Sequence, residues 1–277
     1  MTRRDLARVC AGIAAAGTRL AMAAEPKQQH EGGFHLGVAT YSFREFQRKM
    51  AISMTKQLGV HYVSVKEFHL PYTVTADEAA KAKSEFNKAG LTIMSGGNIT
   101  LTDKDPMVLK RLFEYARMCG MPMMVCAPSH ETLDTVEKLV KEYDIKAALH
   151  NHGPEDKHFP TVQSVLEGVK GRDPRMGLCM DLGHSMRTGV DVVQSIESAG
   201  SRLLDMHIKD LKSPTDKASQ CNVGEGVMPI VAIFKQLKKM NYQGCVNLEY
   251  EINGDNPLPG MLASFGYMRG VLAGMAG

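Results

Sequence analysis

A single-domain α/β fold, the (β/α)8 barrel, is what this sequence predicts, and three observations lead there. After residue 32, short apolar runs alternate with amphipathic stretches, as parallel βαβ units do. Eight such units fit into about 245 residues, the size of one barrel. Polar residues gather at the C-terminal ends of the strand-like runs, where barrels build their active sites. A doubly wound open sheet is the competing architecture. It gives no reason for eight evenly spaced units, and no GxGxxG turn follows the first strand.

The first 32 residues stand apart. Arg3 and Arg4 precede Leu6 and Arg8, a small apolar run extends from Val9 to Gly17, and Ala21-Met22-Ala23 offers a signal-peptidase site. Residues 1–24 resemble a twin-arginine-type signal peptide, with 25–32 a linker and 33–277 the barrel domain. The expected location is therefore periplasmic or secreted. The apolar run is too short to span a bilayer.

The barrel units follow in order. Strand 36–41 leads to helix 44–58. Strand 62–67, with Val63 and Val65 on one face and Ser64 and Lys66 on the other, leads to helix 76–88. Strand 91–95 is followed by Gly96-Gly97-Asn98, read as a close backbone approach at the site rim, and by helix 106–119. Strand 123–127 precedes helix 131–143. In strand 145–150, Ala147 and Leu149 oppose Ala148, His150 and, just beyond, His152; helix 161–169 comes next. Strand 177–181 precedes helix 190–199. In strand 203–208, Leu204, Met206 and Ile208 oppose Asp205, His207 and Lys209, ahead of helix 229–240. In strand 245–250, Val246, Leu248 and Tyr250 oppose Asn247, Glu249 and Glu251, and helix 259–272 closes the chain. Alternation gives each set its own face. The apolar sets belong under the helices and the polar sets point into the barrel, where a charge is costly unless paired or metal-bound.

Composition narrows the function. Hydrophobic residues are 44% and charged residues 23%, with a net charge of +3. That balance suits a globular core and argues against nucleic-acid or membrane partners. Six cysteines form no CxxC pair. Cys126, Cys179 and Cys245 sit in apolar strands and read as buried free thiols. The 19 methionines read as core filling.

Four strand ends carry the candidate chemistry: His150-Asn151-His152, Asp181-Leu182-Gly183-His184, His207-Ile208-Lys209-Asp210 and Glu249-Tyr250-Glu251. Imidazoles mixed with carboxylates suit Mn²⁺, Mg²⁺, Co²⁺ or Zn²⁺ better than Ca²⁺. His150, His152, Asp181, His207 and Glu249 are the candidate metal-ligating side chains among them. Each residue also has a plainer reading. A strand histidine can be a hydrogen-bonded core residue, Lys66 a partner of Glu249 or Glu251, Lys209 a partner of Asp181 or Asp205, and His184 a group that orients a ligand. His69 reads as the start of a loop, and His61, His130 and His158 as surface residues.

These motifs resemble the sugar phosphate isomerase/epimerase family, the xylose isomerase-like TIM barrels, over nearly the whole chain after residue 32. In that family an acid on strand five, Asp on strand six, His on strand seven and Glu on strand eight hold a metal. Asp181, with His184 three residues on, His207 and Glu249 match. Lys66-Glu67-Phe68-His69-Leu70-Pro71 and His150-Asn151-His152-Gly153 are also similar to family segments. One position departs: strand five usually gives a Glu that both binds metal and shares acid–base work, and here it is His150. At this strand the chain is similar to inosose dehydratases and to enzymes acting on 3-keto-glycosides.

The resemblance implies a divalent-metal-dependent enzyme acting on a small-molecule sugar. The metal would polarise a carbonyl for removal of the neighbouring proton. Lys66 or Lys209 would act as base or steady the enolate, and His184 and Glu251 would carry protons or bind hydroxyls. A sugar isomerase or epimerase is the first expectation. A lyase, dehydratase or hydrolase acting on a 3-keto-sugar or glycoside is the second, and a non-catalytic exported sugar-binding protein the third. Endonuclease IV shares the fold, but the near-neutral charge argues against nucleic acid.

Overall fold

The structure, a computed structural model, describes residues 33–275. The stretches read as signal (1–24) and linker (25–32) lie outside the described residues. Eight parallel strands close a barrel: β1 (His35–Ala39), β2 (Tyr62–Val65), β3 (Thr92–Leu101), β4 (Met123–Pro128), β5 (Lys146–His150), β6 (Met176–Asp181), β7 (Leu203–Ile208) and β10 (Cys245–Leu248). Ring order follows chain order, and β10 pairs with β1 to shut the ring. All eight expected strands form. A short antiparallel ribbon, β8 (Asp210–Leu211) and β9 (Gln220–Cys221), was not expected and stands over the C-terminal mouth.

Helices α1 (Arg48–Gln57), α2 (Ala76–Lys88), α3 (Pro106–Met118), α4 (Leu133–Tyr143), α5 (Val162–Gly168), α6 (Leu182–Arg187), α7 (Val192–Ala199), α8 (Ile230–Lys239) and α9 (Leu258–Gly274) accompany the strands. Their starts are set locally. Thr75 and Glu78 form a reciprocal capping box at α2, and Asp105 caps α3 just ahead of Pro106. Asp191 accepts from the Val193 and Gln194 amides at α7. Each such cap satisfies amides the first turn leaves unpaired. Among the described residues no helix is long and apolar enough to cross a membrane.

Strand alternation divides the buried side chains in two. The main core lies between barrel and helices and includes Phe43, Phe86, Phe113, Phe234 and Phe265. A smaller cluster inside the barrel joins Met123, Val125, Ala148 and Cys179, with Leu204 packed against it. Leu204 thus departs from its expected place beside Met206 and Ile208. The register slips between the Leu178–Leu203 and Cys179–Asp205 pairs, and the extra residue of this bulge turns Leu204 inward.

Above that floor lies Asp205, fully buried. Its carboxylate accepts from Ser95 Oγ and Asn247 Nδ2, each at 2.8 Å, and from the Met206 amide at 2.9 Å. Burial pushes its acid strength down, raising its pKa to about 6. Gly97 also differs from expectation. Its φ is +142°, and a Cβ there would overlap the Val125 carbonyl of β4. The close approach is to the neighbouring strand, not to a ligand at the rim.

Candidate metal centre

His150 ends β5, Asp181 ends β6, His207 is the penultimate residue of β7, and Glu249 follows β10. One donor atom from each of the four lies within 4.8 Å of one from every other. His150 Nε2 is 3.6 Å from Asp181 Oδ2, and His207 Nδ1 is 3.4 Å from Glu249 Oε1. His150, Asp181 and His207 are buried, yet both nitrogens of each imidazole have no hydrogen-bond partner, and Asp181 Oδ2 has only the Lys209 ammonium at 3.0 Å. Leaving a buried polar group unsatisfied costs about 1–3 kcal/mol. A cation that takes one lone pair from each imidazole removes part of that cost. Ligands about 2.0–2.2 Å from one ion lie at most roughly 4.4 Å apart, so a contraction of a few tenths of an ångström would close the set. The residues present fit a divalent metal.

Lys209 occupies the same pocket of charge. Its Nζ is 3.0 Å from Asp181 Oδ2, 2.7 Å from Glu249 Oε2 and 3.2 Å from Glu251 Oε2. Burial alone would favour the neutral amine, but the three carboxylates outweigh it and hold the ammonium well above its ordinary pKa. So held, Lys209 is an ammonium, which offers positive charge and not a free amine. Asp181 is also buried and Glu249 only 12% exposed, yet their carboxyls are held well below the usual range. At Asp181 this is done by His184 while that imidazole is protonated and by Lys209 throughout, and at Glu249 by Lys209 and His207. Three carboxylates face the Lys209 ammonium. At His207 burial is outweighed by the neighbouring Cys179 and Glu249, which raise its pKa well above the ordinary value, so a divalent cation entering here would replace the proton of that imidazole.

Asp181 does two jobs. Its Oδ1 caps α6 by accepting from the His184 amide at 2.8 Å, which leaves Oδ2 facing the centre. Asn151 pins the same residue from β5: its Oδ1 accepts from the Asp181 amide at 2.9 Å, and its Nδ2 donates to Ser185 Oγ at 3.0 Å. The capping spacing Asp-x-x-His was in the sequence, but a one-turn helix carries no apolar periodicity to announce it.

His152 and His150 part company. His150 is in the cluster; the His152 side chain is 53% exposed and lies 3.9 Å from Asp156. The His152 ring packs 4.7 Å from that of His184 at the rim. Burial, with Lys209 and His150 adding to it, lowers the pKa of His184 to about 3, so it is neutral at pH 7. Arg187 Nη2 donates to His184 Nδ1 at 3.0 Å, which leaves Nε2 to carry the proton. Arg187 is itself held by both oxygens of Glu155, at 2.6 and 2.8 Å. Gly153, at φ +87°, keeps the loop clear of them: a Cβ there would press on Arg187 Nη2 and His184 Nδ1.

Glu251 faces a cavity of about 310 Å³ shared with Tyr41, His152, His184, Arg187, Lys209, Lys217 and Gln220. This is at the small end of ligand sites, roughly 300–1,000 Å³. Gln220 holds the end of the eighth strand in place. Its Nε2 donates to the Glu249 carbonyl at 2.8 Å, and its Oε1 accepts from the Glu251 amide at 3.0 Å.

Lys66 has other partners than expected. Its Nζ pairs with Glu67 at 3.1 Å and donates to the Asn98 carbonyl at 3.1 Å, not to Glu249 or Glu251. At the end of β2 the adjacent Glu67 and the Asn98 carbonyl satisfy the ammonium. His69 is a buried, bonded residue: Thr40 Oγ1 lies 3.0 Å from Nδ1 and the Phe46 carbonyl 3.1 Å from Nε2. The five described cysteines are free and buried.

The pattern of the xylose isomerase-like TIM barrel matches residues 52–270. The chain belongs to that family. Among curated proteins it is 27% identical over 123 residues to an uncharacterized protein of Methanocaldococcus jannaschii, a match spanning 43% of this chain and 41% of that protein. The chain therefore aligns with less than half of that relative. An uncharacterized protein from Parabacteroides distasonis has a solved structure that superposes with a TM-score of 0.68 at 25% identity, covering 86% of this chain and 99% of that one. D-psicose 3-epimerase from Clostridium cellulolyticum, solved with D-tagatose, superposes at 0.70 with 17% identity over 86% of this chain and 99% of its own. The "probable 3-DHS dehydratase" of Bacillus anthracis superposes at 0.70 with 14% identity over 85% and 99%. At these last two identities the likeness is one of fold.

Proposed function

We propose that this protein is a divalent-metal-dependent enzyme that removes a proton beside a sugar carbonyl, as a sugar isomerase or epimerase does. The observation that carries the reading is the inward set His150, Asp181, His207 and Glu249, with its orphaned imidazole nitrogens, beside a cavity of about 310 Å³ lined by its neighbours His184, Lys209 and Glu251. A cation held there would supply Lewis acidity to the substrate carbonyl. Glu251 offers the carboxylate that takes the proton. Its side chain is 41% exposed to the cavity, while Lys209 holds it at 3.2 Å. The Lys209 ammonium, fixed by Asp181 and Glu249, stabilises the negative oxygen that develops. His184, neutral and with its Nδ1 engaged by Arg187, presents Nε2–H to a substrate hydroxyl. The epimerases and the dehydratase that share the fold support a sugar-like substrate and proton chemistry.

One observation favours a second reading, a lyase or dehydratase acting on a 3-keto-sugar or glycoside. His150 stands where a second acid–base carboxylate would be needed to exchange a proton on both faces of a carbon. A single carboxylate with neighbouring histidines suffices for elimination. Incubation with ketohexoses and 3-keto-glucosides in D2O, followed by NMR, separates the two. Deuterium entering an intact sugar marks isomerisation or epimerisation; loss of water or of the aglycone marks elimination. Neither outcome from any metal-loaded preparation would leave a sugar-binding protein and defeat the enzyme reading. The twin-arginine-type stretch adds an exported site of action to this reading, and the N-terminal sequence of protein recovered from the periplasm tests it.

A further inference from the structure

The centre has a soft side. We propose that His150, Cys179 and His207 form a second cation position, one pleat deeper in the barrel than the carboxylates, selective for thiophilic ions such as Zn²⁺ or Cd²⁺. The inference shares His150 and His207 with the metal centre proposed above and rests on that reading to this extent.

Three observations carry it. One donor atom each from His150, Cys179 and His207 lies within 4.8 Å of the others, as close a grouping as the carboxylate set. Cys179 precedes Asp181 by two residues on β6, so alternation puts its sulfur on the same inward face, one step lower. Both imidazoles are buried with both nitrogens unpartnered. Each ring, once neutral, has one lone pair to give, and no hydrogen bond within the protein commits it to the carboxylate side.

The chemistry of the two sets differs. Asp181 and Glu249 offer hard oxygens, which suit Mg²⁺ and Mn²⁺; a thiolate with two imidazoles suits Zn²⁺ and its heavier congener. Two His and one Cys also leave a fourth position open, as catalytic zinc sites do. On binding, the thiol releases its proton to solvent and gives a sulfur lone pair to the ion; nothing is oxidised or reduced. Because the sets share their imidazoles, an ion occupies one or the other. A soft metal would sit deeper and leave Asp181 and Glu249 to Lys209.

Cobalt and cadmium test this on the full chain. Wild-type protein loaded with Co²⁺ is expected to show near-ultraviolet thiolate-to-cobalt charge-transfer absorption. Cys179→Ala should lose the band, while Cys126→Ala keeps it. Cd²⁺ affinity should fall at least about tenfold in Cys179→Ala, and Mn²⁺ affinity should change less than about twofold. A bound cobalt without the band in wild type, or a band that survives in Cys179→Ala, overturns the inference and leaves the carboxylate centre standing. Failure of wild type to bind any of these ions overturns both. Should the variant not fold, cadmium NMR of the wild type decides. A resonance in the thiolate-ligated range supports the sulfur ligand, and one in the range of nitrogen and oxygen ligands alone refutes it.

Discussion

Replacing Lys209 by Met should make the metal-free protein fragile and the metal-loaded protein nearly normal. The Lys209 side chain is 4% exposed, Asp181 0% and Glu249 12%, so two of its three ion pairs are buried. The third, to the half-open Glu251, adds little. Removing one partner of a buried pair costs about 3–5 kcal/mol, because the other charge is left without compensation. For a domain of this size that amounts to roughly 6–20 °C in melting temperature. A divalent cation supplies the missing positive charge. At 100-fold excess over its dissociation constant it stabilises the wild type by about 2.7 kcal/mol. The variant, with one repelling ammonium fewer, should gain more. Calorimetry of both proteins in EDTA and in excess Mn²⁺ reads this directly. The expected result is a wide gap in EDTA that shrinks by half or more with Mn²⁺. The reasoning is refuted if EDTA-treated Lys209→Met lies within about 1 kcal/mol of wild type, or if Mn²⁺ raises both melting points equally.

Other outcomes follow from the same geometry. His207→Ala and Glu249→Gln should each lose stoichiometric metal by elemental analysis, whereas His152→Ala retains it; equal metal in all of them would dissolve the centre. Asn151→Ala should cost roughly 1–3 kcal/mol by stranding the buried Asp181 amide, and weaken metal binding at least about tenfold by freeing the ligand to move. Asp205 has a folded pKa of about 6 against an ordinary 3.8, so the folded protein keeps a proton that the unfolded chain releases. Its contribution to stability is full below pH 3.8 and is lost as pH rises through about 6. The loss is about 3 kcal/mol at roughly 1.4 kcal/mol per unit. Denaturant titrations of metal-free protein should therefore show Asp205→Asn gaining on wild type between pH 4 and pH 7, and a constant difference would refute the assignment.

Much of this architecture was legible in the sequence because barrel strands are short and alternate strictly. The inward sets containing Asp205, His207, Asn247 and Glu249 could be read from parity alone; the structure buries the first three and leaves Glu249 only 12% exposed. What parity misses is any residue that changes the count. The bulge in β7 turned Leu204 inward, and no local composition signals such an insertion. The ribbon β8–β9 escaped because two-residue strands leave no period to detect. The Asp181 partner of Lys209 was among those the sequence offered, but the partners of Lys66 and the Glu249 and Glu251 contacts of Lys209 were not, since ion pairs depend on where neighbouring strands stop, and propensity does not fix that.

His152 and Glu251 make the point sharply, because both were placed by the same extrapolation. Each lies two residues beyond an inward residue at a strand end, His152 after His150 and Glu251 after Glu249. Only Glu251 stays with the centre. After β5 the chain turns: the His152 amide bonds the Phe159 carbonyl across its own loop at 3.2 Å, and the side chain leaves for the rim. After β10 the backbone remains extended because something still pairs with it. The Glu249 amide donates to the Ile208 carbonyl at 3.1 Å, and the Gln220 side chain then bonds the Glu249 carbonyl and the Glu251 amide as a neighbouring strand would. Alternation is a property of a paired backbone, not of sequence spacing. It can be carried past the last residue of a strand only where a ladder, or a side-chain amide standing in for one, continues the pairing. In this barrel that substitute is Gln220. It comes from a ribbon too short to see in the sequence, and it is what keeps the second carboxylate of β10 beside Lys209.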